Sequence, residues 1–154
     1  MSSYDVSVEV GVEEDVDVGA LRALAGRVME GESVAPGTGL VVLITDDDEI
    51  RGMNRQFLGI DEPTDVLSFP DEADDFVQGM AEGAMLGDIA ISLPTASRQA
   101  DANGIALELE LAHLLVHGVL HLCGWDHVES EEAEAAMRAR EEHYVPGVRH
   151  SAPH

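Results

Sequence analysis

Between positions 117 and 127 the chain reads H-G-V-L-H-L-C-G-W-D-H. Three histidines interrupt an apolar run that would otherwise be an ordinary buried helix. His117 and His121 are four residues apart, so a helix places them on one face, one turn from each other. Two imidazoles in that relation can converge on one metal at roughly 2.0–2.1 Å each. Gly124 supplies a residue able to take the left-handed conformation that ends a helix. Trp125 and Asp126 are then a short enough bridge to return His127 to the same ion. Three neutral imidazoles on a tetrahedral ion leave the fourth position open, the pattern of a catalytic zinc rather than a closed structural one. The expectation is one Zn²⁺ held by His117, His121 and His127. Such an ion acts as a Lewis acid and brings the pKa of bound water to about 7.

The neighbours offer alternatives. His113 lies four residues before His117 and extends the same row; it is read as a supporting or core histidine. Cys123, two residues after His121, points away on a helix and is read as buried. Asp126 either accepts the second N–H of a ligand imidazole or forms the turn. The glutamate base of an H-E-x-x-H site is missing, because that position is Gly118.

The rest of the chain supplies a framework. Val6, Val8, Val10 and Val12 alternate with other residues, as on a strand with one buried face. Leu21, Leu24, Ala25, Val28 and Met29 recur at helical spacing. The run 40–45 is β-branched and strand-like. Asp46 to Glu49 are read as an N-cap and an acidic first turn, ahead of a helix that stops near Gly59. Strands are expected over 65–69 and 87–93, with a loop between them. Helices are expected from Pro94 to about 103, over 107–122 and over 130–143. The order is β-α-β-α-β-β-α-α-α. It predicts an α+β fold, one mixed four-stranded sheet with helices packed on it, as a single metal-dependent hydrolase domain over 1–145. The tail 146–154 reads as disordered.

Charge narrows the partners. There are 31 acidic and 8 basic residues, a formal net charge of -23, and every basic residue is arginine. Over a Debye length of about 10 Å such a surface repels polyanions. Charge alone therefore disfavours nucleic acid, although a bound metal and a few arginines can reverse the sign inside a cleft. The longest apolar stretch carries glutamates and histidines, so no membrane span is expected. The N-terminus has neither the basic nor the apolar region of a signal peptide. With one cysteine no intrachain disulfide can form. The expected location is the cytoplasm.

The histidine stretch resembles the signature H-G-x-L-H-L-x-G-Y-D-H of the YbeY family, bacterial metal-dependent endoribonucleases of ribosomal RNA maturation. P-T-D-V-L-S-F-P at 63–70 and L-G-D-I-A-I-S at 86–92 match in the same order. The resemblance implies an α+β fold and zinc on His117, His121 and His127. It implies single-strand-specific endoribonuclease activity in 16S rRNA 3′-end maturation and ribosome quality control. The implied partners are ribosomal RNA and the ribosome or its small-subunit proteins. A substrate cleft is implied near 64–69, with Asp65 and Ser68 as contact candidates. Leu58 stands where the family has an arginine; Arg55, one helical turn earlier, is the candidate substitute beside a metal-bound water. Two other functions share the ligand layout. One is a zinc hydrolase of peptides or small molecules. The other is a non-catalytic, zinc-stabilised ribosome-associated factor whose acidic surface docks a basic protein.

Overall fold

The computed structural model describes residues 4–13, 15–70, 85–125 and 131–146. Along these the elements are β1 (Asp5–Val10), α1 (Val18–Gly31), β2 (Gly39–Thr45), α2 (Asp47–Leu58), β3 (Val66–Pro70) and β4 (Met85–Ser92). They continue with α3 (Leu93–Asn103), α4 (Leu107–Leu120), a π-helical turn (His121–Trp125) and α5 (Glu131–Tyr144). This is the expected α+β order. The strands form one sheet in the order β1-β2-β4-β3. β1 and β4 flank β2 in parallel, and β3 runs antiparallel along the outer edge of β4. The expected loop between β3 and β4 and residues 147–154 of the expected tail, like Asp126 and His127, lie outside the described residues.

Alternation along the strands divides the core in two. Val42, Ile44, Ile89 and Ile91 project to the face covered by α1, α3 and α4, where Leu114, Leu115, Val119 and Leu120 meet Ala25, Val28 and Met29. Leu67 and Ala90 project the other way and pack under Ile50 of α2, with Met53 and Phe69 beside them. The stretch Leu107–Gly124 is apolar and long enough to cross a membrane. Its apolar side chains instead form the centre of the larger core.

Local chemistry sets the boundaries. Asp46 accepts from the Glu49 N–H at 2.9 Å, and Gly59 ends α2 at φ 73°, so the acidic cluster is a cap. Asp47 goes further than the sequence implied. Its carboxylate accepts from Ser92 and Thr95 hydroxyls and from Arg98, tying α2 to the start of α3. Burial opposes its ionisation, but these three donors outweigh that and lower its pKa. β3 begins one residue later than expected because the Asp65 side chain caps the Val66 N–H at 2.7 Å. Helix α4 ends two residues early, at Leu120, where the backbone widens into the π turn and kinks at Gly124 (φ 102°).

Candidate metal centre

Helix α4 delivers the histidines because its core-facing side chains leave one seam for polar groups. Leu111, Leu114, Leu115, Val119 and Leu120 are buried against the sheet and α1. His113, His117 and His121 rise along the remaining seam at intervals of four. The π turn begins at His121, and such turns re-aim side chains at the end of a helix.

The Nε2 atoms of His117 and His121 approach to 2.8 Å, with ring centroids 4.3 Å apart. On its other side His117 Nδ1 lies 2.5 Å from Oε2 of Glu141, a residue of α5. The second oxygen of that carboxylate, Oε1, lies 3.2 Å from His113 Nε2. Burial pushes the Glu141 carboxyl up, but hydrogen bonds from His113 and His117 overcome this and hold it at about 2. The carboxylate is thus ionised at neutral pH and accepts the Nδ1 proton of His117. The ring so held turns its Nε2 toward His121.

These residues fit a metal ion. Two imidazole nitrogens meet on one side, and a carboxylate backs the ring that presents one of them, the usual support for a metal-binding histidine. Among the described residues no group of three potential ligands gathers at one point; the third expected ligand, His127, lies outside them. The family is metal-dependent in general.

The helix sits close to the sheet at this level. Ser68 Oγ donates to the Gly118 carbonyl at 3.3 Å. A Cβ at Gly118 would lie 3.0 Å from Ile89 Cδ1 and 3.2 Å from Ser68 Oγ. The position that carries the glutamate base in H-E-x-x-H therefore faces the sheet here. Gly87 makes the next contact along β4. A side chain there would enter the Phe69 carbonyl and approach Leu122 Cδ2 to 2.9 Å, so glycine lets β3, β4 and the π turn close together.

The other expected residues are placed as follows. Ser68 is half-buried beside α4. Asp65 is buried, and its carboxylate accepts from Val66 N–H and, at 3.2 Å, from Gln99 Nε2, so it braces β3 against α3. Arg55 is exposed on α2, on the opposite face of the sheet from α4. Leu58 is 57% exposed, next to Phe57 at 60% and near Ile60 at 48%. Cys123 is partly buried; desolvation first and the Glu32 charge second push its thiol from 9.0 to about 11. Its thiolate fraction at neutral pH is thus about 100-fold below that of an unshifted thiol. Iodoacetamide labelling of the folded protein should be slower than labelling of the urea-unfolded chain by about that factor. Equal rates would show an accessible, ionised thiol.

Glu141, which bridges His113 and His117, is the residue of this cluster that the sequence reading passed over. The signal was its phase. Residues 137, 141 and 144 share one face of α5, and Met137 and Tyr144 pack on the core, so a glutamate stands in the apolar stripe.

The family model described as "Endoribonuclease YbeY" matches residues 8–148. A Gloeobacter violaceus protein named Endoribonuclease YbeY is 52% identical over 110 residues, covering 71% of this chain and 56% of that protein. Proteins of the same name from Pelotomaculum thermopropionicum and Chloroflexus aurantiacus are each 42% identical, the former covering 87% and the latter 91% of both chains. The solution structure of a Thermotoga maritima protein matches with a TM-score of 0.58 and 26% identity, covering 91% of this chain and 86% of that one.

Proposed function

Because the chain belongs to the Endoribonuclease YbeY family, we propose that it is a zinc-dependent hydrolase of single-stranded RNA. Its substrate would be ribosomal RNA at the 3′ end of 16S rRNA, cut during maturation and quality control of ribosomes in the cytoplasm. The ribosome and its small-subunit proteins would be the partners. The observation that carries the metal part is the approach of His117 Nε2 to His121 Nε2 at 2.8 Å, with Glu141 on the far nitrogen of His117. We assign the third ligand position to His127 on its spacing in the sequence.

The chain's own residues define how it would work. Glu141 would accept from His117 Nδ1 and so leave Nε2 to the ion. When bound, zinc supplies Lewis-acid polarisation of a phosphoryl oxygen and activates the attacking group. Gly118 brings α4 against β3, setting Ser68 Oγ on the Gly118 carbonyl, in the helix turn between His117 and His121. Ser68 is the substrate contact on that strand, and Asp65 shapes the same strand from below through Val66 and Gln99. Arg55, exposed on α2 across the sheet from α4, would meet the RNA backbone away from the histidines rather than beside the metal.

Purified zinc-loaded protein should be tested in parallel on single-stranded RNA, duplex RNA and a peptide library, before and after chelation. The expected result is cleavage of single-stranded RNA alone, lost on chelation and restored by Zn²⁺. Peptide cleavage with RNA left intact would overturn this function.

One observation favours a second reading, a non-catalytic ribosome-associated factor. The end of α2 exposes Phe57, Leu58 and Ile60 where the family motif has an arginine. For a weakened nuclease, Leu58→Arg should raise RNA cleavage about 10-fold, the worth of one charge-assisted phosphate contact. No cleavage by either form, with ribosome binding retained, would favour the non-catalytic factor.

A further inference from the structure

We propose that Glu141 is a positioning residue of the metal centre: from α5 it fixes the ring orientation and tautomer of His117, with His113 as the anchor that holds the carboxylate in place. This rests on the metal reading above and adds to it a group that no ligand motif contains.

The geometry is directional. Glu141 touches His117 at Nδ1, not Nε2, so the supported nitrogen is the one turned away from His121, and Nε2 is the one turned toward it. A lone buried ion pair would need only one imidazole. Here one carboxylate spans two, with Oε1 toward His113 and Oε2 toward His117. The first contact stops the carboxylate from turning, and the second transmits that fixed direction to the ligand ring. All three side chains are largely withdrawn from water, at 8% (His113), 15% (His117) and 10% (Glu141) exposure. Solvent therefore does little to loosen the arrangement.

Helix α5 is itself held by a separate polar seam. Glu32 at the end of α1 accepts from Arg140 and, at 2.6 Å, from the Tyr144 hydroxyl; Arg27 donates to the Tyr144 carbonyl at 3.3 Å. Gly31 makes room for the Tyr144 ring, because a Cβ there would collide with it. Burial first, then the bond to Glu32, pushes the Tyr144 hydroxyl up to about 12, so it stays a donor. Residues 140 and 144 face α1, and residue 141 between them faces α4. The seam with α1 thus sets the rotation of α5 and aims Glu141 at the histidines. A ligand held through a rigid supporting shell keeps its geometry with little loss of freedom on binding.

The test joins metal affinity to a direct view of the tautomer. Zn²⁺ and Co²⁺ affinities of wild type, Glu141→Gln and Glu141→Leu are measured by competition with a chromophoric chelator. Thermal unfolding of each metal-free form is recorded alongside. Long-range ¹⁵N–¹H spectra of the metal-free wild type report which nitrogen of His117 carries the proton. The expected results are a proton on Nδ1, affinity weaker by about 10- to 100-fold in Glu141→Leu, and partial recovery in Glu141→Gln, which keeps an acceptor oxygen. A proton on Nε2, or a folded Glu141→Leu protein binding within twofold of wild type, would overturn the role of Glu141. Should both variants fail to fold, the wild-type spectrum decides. A wild-type protein that takes up neither ion would overturn the metal reading itself, a different outcome from unchanged affinity in the variant.

Discussion

Replacing His121 with alanine is expected to abolish stoichiometric metal binding and to lower RNA cleavage by about 10³-fold or more, with the fold retained. The size follows from the several kilocalories per mole of transition-state stabilisation that a catalytic ion provides, each 1.36 kcal/mol being a factor of ten. The fold survives because His121 is only half-buried, at the first residue of the π turn, and the core leucines of α4 lie before it. Metal content by mass spectrometry, the circular dichroism spectrum and initial rates on single-stranded RNA together make the test. Full-rate cleavage by a folded His121→Ala protein would sink the proposed mechanism.

The second large effect concerns stability. Gly118→Glu restores the letters of an H-E-x-x-H motif, yet it should produce no peptidase. The side chain would start 3.0 Å from Ile89 Cδ1 and 3.2 Å from Ser68 Oγ, pointing into the sheet and away from the histidines. A carboxylate forced into that packed position costs more than about 4 kcal/mol, from overpacking and from burial of a group with no place for its charge. The expected outcome is a protein that is largely insoluble or unfolded at 25 °C, seen in soluble yield and thermal denaturation. Gly118→Ala should be milder, about 1–2 kcal/mol, because the ends of Ile89 and Ser68 can yield a few tenths of an ångström. A soluble Gly118→Glu protein with wild-type melting would show that α4 stands further from β3 than the contacts imply.

The strands and helices were legible because their signals are local. The valine alternation of β1, the leucine spacing of α1, the Asp46 cap and the Gly59 stop each operate within one or two turns of chain. The His117–His121 pair was legible for the same reason, since i,i+4 spacing is itself a geometric statement. What the sequence did not disclose depends on distant residues meeting. Glu141 reaches His117 from 24 positions away, and Asp47 reaches Ser92 from 45. The acidic cluster at the start of α2 was read as a cap, and Asp46 is one. Nothing local said that its neighbour Asp47 also fastens α2 to α3. The direction faced by Gly118 was equally hidden, because an absent side chain leaves no periodic mark, and the nearness of Ile89 and Ser68 exists only once the sheet has formed.

The long reach from Glu141 back to His117 has a consequence in time. A ribosome makes α4 before α5, so the two histidines emerge while the carboxylate that orients one of them is still unsynthesised. Until α5 docks on α1 through Arg140 and Tyr144, the ring of His117 has no fixed bearing. On the proposed mechanism a nascent chain would carry its ligand residues in an unarmed state, and cutting competence would arrive with α5. For an enzyme whose kind acts on RNA, made by a machine built of RNA, that order of events separates manufacture from use.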